Sequence, residues 1–128
     1  MTIGVRRAVM IAGILVVAGG PVYAGGDAER GRKLAQTDCA RCHVLPGEGN
    51  MGIGMSPSFK AMVSLDIKDW RKRFKTFYDR RPHPNFTRIR ELPQVQQTVP
   101  VIVPFELTLK DLDDLMAFVD ILAAKYRK

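Results

Sequence analysis

Apolar side chains recur at helical spacing in three stretches of the chain, and segments crowded with glycine and proline separate them. The first stretch runs from about Asp27 to Thr37. Asp27 is a suitable N-cap, and Ala28, Gly31, Leu34 and Ala35 make one narrow apolar face. Gly31 in mid-helix is explained either by a close helix crossing or by a frayed first turn. A second helix is expected over Leu65 to Asp79, capped by Ser64 or Asp66. Ile67, Trp70, Phe74, Phe77 and Tyr78 lie on one of its sides and Lys68, Arg71, Lys72 and Lys75 on the other. The last helix is the clearest. Thr108 caps it, Asp111 stands three residues on, and Leu112, Leu115, Phe118, Val119 and Leu122 form its apolar face. Lys125, Arg127 and Lys128 suit its C-terminal end.

The intervening segments read differently. Val44 to Phe59 holds Pro46, Gly47, Gly49, Gly52, Gly54 and Pro57 and is expected to be a loop. Arg80-Arg81-Pro82-His83-Pro84 is expected to be non-helical, and residues 94–104, valine-rich with Pro93, Pro100 and Pro104, extended or irregular. The pattern therefore predicts a small all-α domain of about three main helices, with a long irregular segment before the last.

The amino-terminal segment does not belong to that domain. Arg6 and Arg7 precede an uncharged apolar run from Ala8 to Gly20, and Val22-Tyr23-Ala24 offers small residues before a cut. This is the layout of a secretory signal peptide, so residues 1–24 are expected to be removed and residues 25–128 to form one domain. The run is short for a bilayer span, and an uncleaved amino-terminal anchor is the lesser alternative. Taking Arg6 and Arg7 away lowers the net charge from +7 to +5. Nine basic and two acidic residues lie between Lys68 and Arg90, which points to an acidic protein partner rather than nucleic acid.

Cys39-Ala-Arg-Cys-His43 holds the only two cysteines of the chain. Two thiols three positions apart suit thioether attachment to the two vinyl groups of one haem, and the adjacent imidazole suits axial ligation of its iron. A redox dithiol would want a βαβ context that the pattern lacks. A zinc site built from Cys39, Cys42, His43 and His83 is conceivable on paper. Haem c, one per chain, is the expected cofactor.

With this motif, the preceding helix bearing Gly31, the glycine-rich loop and Phe105-Glu106-Leu107-Thr108 leading into Leu115-Met116-Ala117-Phe118, the chain resembles class I c-type cytochromes over nearly its whole mature length. The resemblance implies a small fold around one covalently bound haem. It implies a first and last helix crossing at Gly31 against Phe118, and a proline carbonyl, that of Pro57, that accepts the N–H of His43. It also implies electron transfer rather than enzymatic turnover. One feature departs from the family. Where such proteins carry a distal Met-Pro-x-Phe, this chain reads Ile102-Val103-Pro104-Phe105, and neither Ile102 nor Val103 can ligate iron. His83-Pro84-Asn85-Phe86 has the same form with histidine in the methionine's place, and His83 is the expected sixth ligand. A vacant site, or Met51, Met55, Met62 or Met116, are the alternatives.

The functional expectation is an exported, periplasmic one-electron carrier. The alternative is a haem protein with an open distal site, acting as a ligand-binding sensor or with minor peroxidase-like activity.

Overall fold

The computed structural model describes residues 25–65, 69–93 and 103–127. The expected leader, residues 1–24, lies outside these, as do Asp66, Ile67, Lys68, residues 94–102 and Lys128. Helix α1 (Ala28–Leu34) starts where the Asp27 carboxylate accepts from the Glu29 and Arg30 N–H groups, at 3.0 Å each. It continues as a wider π-turn, Ala35–Cys39. Two short helices follow, α2 (Phe59–Ser64) and α3 (Trp70–Lys75), then single 3-10 turns at Phe77–Asp79 and His83–Asn85. Strands β1 (Thr87–Ile89) and β2 (Phe105–Leu107) pair in parallel, Thr87 opposite Phe105 and Ile89 opposite Leu107. Helix α4 (Leu109–Tyr126) closes the fold behind a Thr108–Asp111 capping box.

The all-α expectation holds, while the middle of the chain is divided differently from the periodicity. Ser58, not Ser64, is a cap: its hydroxyl accepts from the Ala61 N–H at 3.1 Å and opens α2 inside the expected loop. Leu65 is extended and ends that helix, and Asp69 takes a left-handed φ of 58° before α3 begins. The expected Leu65–Asp79 helix is thus α3 and a 3-10 turn. Its aromatic stripe survives, since Trp70, Phe74, Phe77 and Tyr78 all pack against the core.

The core sits between α1, α2 and α4, with Leu45, Phe59, Val63, Ile89, Leu107, Leu112, Leu115, Val119 and Leu122 buried together. Gly31 is the reason α1 and α4 approach so closely. A Cβ there would lie 2.0 Å from the Asp114 carbonyl oxygen and 2.9 Å from the Leu115 nitrogen. The frayed-turn explanation falls. The expected helix crossing does occur at Gly31, and the nearest part of α4 is the backbone of Asp114 and Leu115, one turn before Phe118. The Phe118 ring packs on the Phe59 ring, centroids 6.4 Å apart.

Candidate haem site

Cys39 ends the π-turn, and the chain then doubles back. The Cys42 and His43 N–H groups both donate to the Cys39 carbonyl, at 3.1 and 2.9 Å. Asn50 holds this turn against the glycine-rich loop. Its amide donates to the Ala40 and His43 carbonyls and its oxygen accepts the Leu45 N–H, all within 3.0 Å. Gly52, at φ +59°, lets the loop pass so close to the Cys42 carbonyl that a Cβ would stand 2.8 Å from it. Nothing in the spacing singled out Asn50; an asparagine among glycines reads as an ordinary turn residue.

The loop returns at Pro57, whose carbonyl lies 2.7 Å from His43 Nδ1. Across the cavity, the Arg80 carbonyl lies 2.9 Å from His83 Nδ1. A carbonyl only accepts, so each ring carries its proton on Nδ1 and leaves the Nε2 lone pair free. The two rings face one another with centroids 6.0 Å apart and planes only 8° from parallel. Phe59 tilts against His43 at 5.7 Å, while Phe77 and Phe86 stand edge-on to His83 at 5.0 and 5.6 Å. Burial lowers the pKa of His83 below the usual imidazole value; the Arg80 carbonyl opposes this and the nearby His43 adds to it. His83 is therefore neutral at pH 7, in the form that can donate to a metal.

Cys39, Cys42, His43 and His83 all open onto one cavity of about 670 Å³. Its other walls are mainly apolar, with Phe59, Met62, Trp70, Phe74, Phe77 and Leu115 prominent. This is the volume class of a cofactor-sized molecule. Neither cysteine is in a disulfide. Burial, together with Asp38 and Cys42, pushes the Cys39 thiol up to about 12, which keeps it protonated. Among the described residues no cluster of three or more histidine, cysteine or acidic side chains is placed to hold an ion, so the four-ligand zinc arrangement does not assemble.

The residues fit a flat metal macrocycle on a physical test. An imidazole nitrogen binds a first-row metal ion at about 2.0 Å, so two rings on opposite sides of one ion have centroids about 6 Å apart. The observed separation of His43 and His83 has that value. The other distal alternatives are placed less well. Met55 and Met62 reach the cavity wall, Met55 almost wholly exposed, whereas Met51 is exposed outside it and Met116 is buried in α4. Val103 is exposed and Ile102 lies outside the described residues.

The family model described as Cytochrome c matches residues 28–123. No curated protein and no solved structure matches the chain. Covalent haem c is accordingly the cofactor for which the cavity is built. The cysteines, the facing histidines and the match over most of the length lead to one assignment: this chain belongs to the cytochrome c family, whose members carry electrons on haem.

Proposed function

We propose that the protein is an exported one-electron carrier with bis-histidine haem ligation. Cys39 and Cys42 form the thioethers, His43 is the proximal ligand and His83 the distal one. The separation and near-parallel planes of the two imidazoles carry this reading. Haem supplies an iron that alternates between two oxidation states, and the residues decide how it does so. The Pro57 and Arg80 carbonyls hold both rings in the tautomer and orientation that binding requires. Ligands fixed in this way need little rearrangement when one electron arrives, which favours transfer over capture of small molecules. Two histidines also set a lower potential than a histidine–methionine pair.

Residues 1–24 direct export to the periplasm in this reading, and residues 25–128 form the mature domain. No described helix is long and apolar enough to cross a membrane. The partner is a redox protein with an acidic face. Arg71, Lys75 and Arg90 already pair with Asp120, Asp113 and Glu106. Lys72, Arg73, Arg80, Arg81 and Arg88 form no ion pair with any described residue, and docking draws on those of them that face the partner.

Haem-loaded protein tests the site. Pyridine haemochrome should show covalent haem, lost in a Cys39→Ala, Cys42→Ala double variant. The wild type should be low-spin and bind carbon monoxide slowly when ferrous; His83→Ala should become high-spin and bind it promptly. An unchanged low-spin spectrum in His83→Ala removes His83 as ligand and favours Met55 or Met62. Prompt binding in the wild type supports the open-site alternative.

A further inference from the structure

Three of the five cations that pair with no described carboxylate line the cavity itself. Arg73 comes from α3, and Arg80 and Arg81 from the chain just before the His83 turn. No carboxylate among the described residues pairs with any of them, although Arg71 and Lys75 on the same helix each have one, at 2.8 and 3.2 Å. All three are exposed as well as lining a mainly apolar cavity, so they are placed to meet anionic groups carried by whatever fills it. A haem brings two, its propionates, on the edge opposite the vinyl groups. The vinyl edge is assigned to Cys39 and Cys42, which follow α1, while the three arginines belong to α3 and to the chain between it and His83.

We propose that Arg73, Arg80 and Arg81 take the two haem carboxylates and thereby hold closed the turn that presents His83. The inference rests on His83 being the distal ligand. It follows from how that turn is tied. The His83 N–H and its ring Nδ1–H both donate to the Arg80 carbonyl, each at 2.9 Å. The remaining backbone bonds of the turn, from Asn85 to Pro82 and from Phe86 to His83, are also local. The next anchor outward is the Phe105 N–H on the Phe86 carbonyl, at 2.9 Å. Ion pairs at Arg80 and Arg81 would thus fix the backbone directly upstream of the ligand, where the described backbone hydrogen bonds are local. Lys72 and Arg88, which do not line the cavity, remain for the partner.

The test measures the rate at which carbon monoxide replaces His83 on the ferrous, haem-loaded protein. An Arg80→Gln, Arg81→Gln double variant should bind about tenfold faster than wild type, the loss expected for one charge-assisted hydrogen bond. Arg73→Gln should act in the same direction. Lysine at both positions should restore much of the slow rate, and Arg71→Gln, which breaks only the Asp120 pair, should leave it unchanged. In a His83→Ala background, binding should be fast and indifferent to the arginines. If His83→Ala binds no faster than wild type, the ligand assignment itself fails. If His83→Ala opens the site but the glutamine variants stay as slow as wild type, the carboxylate grip is wrong. Slowed partner reduction with an unaltered carbon monoxide rate overturns it as well, and makes the arginines docking residues.

Discussion

Asp114 is fully buried in α4, and its carboxylate accepts from three directions. The Asp27 N–H reaches it at 2.6 Å, Lys110 Nζ at 2.9 Å, and Arg30 through one guanidinium nitrogen. The other guanidinium nitrogen of Arg30 takes Asp111, which also accepts from the Thr108 N–H and hydroxyl. Burial alone would raise both carboxyl pKa values. The Lys110 and Asp27 bonds outweigh it at Asp114, and the Thr108 bonds at Asp111, so both lie below the usual value. A carboxylate with a depressed folded pKa contributes stability above its unfolded value, and the contribution disappears as pH falls through the folded one. Thermal unfolding should therefore shift downward below about pH 4. Asp114→Asn should lose about 2 kcal/mol at neutral pH, less than for a fully buried pair because Arg30 and Lys110 remain partly in water, and should flatten that acid limb. Calorimetry across pH checks both. The Thr108–Asp111 cap was legible in the sequence because its residues are three apart. The Asp114 contacts were not: Asp27 and Arg30 lie more than eighty positions away.

Gly31 shows what helical spacing conveys and where it stops. Spacing placed the glycine on the apolar face of α1, but which part of α4 it meets depends on the crossing, and that proved to be Asp114 and Leu115. A methyl group there has backbone on its far side, which cannot rotate away. Gly31→Ala should destabilise the haem-loaded protein by about 3 kcal/mol, measured by denaturant unfolding. The middle of the chain was harder to divide. Trp70, Phe74 and Phe77 kept a readable stripe because they line the cavity, yet its length suggested one helix where the chain breaks at Leu65 and Asp69. The three-residue strands β1 and β2 are too short to show an alternating pattern, and their parallel pairing is long-range. At the site, the cysteines and His43 were evident from their adjacency. Pro57 came through the family resemblance, while Asn50 and the Arg80 carbonyl emerge only in three dimensions.

The distribution of charge over the molecule separates cations already paired with described carboxylates from the rest. Arg30, Arg32, Arg71, Lys75, Arg90 and Lys110 all meet acidic side chains. An electron donor steered by the remaining cations should reduce the protein at a rate that falls steeply between low and physiological salt, followed by stopped flow. A flat response would mean that the surface is merely solvated. The facing histidines have one more consequence, which concerns chain entropy. Joined through a single metal, His43 and His83 would close a loop of about forty residues, much as a disulfide does, and chain statistics give such a closure about 4 kcal/mol. Each end is coordinated rather than covalent at the iron, so this cross-link can open without breaking the protein. His83→Ala should therefore unfold at lower denaturant than wild type with its thioethers intact. Because the strength of the link depends on the oxidation state of the iron, the ferric and ferrous proteins should differ in stability by the free energy equivalent of the difference in reduction potential between the folded and the unfolded protein.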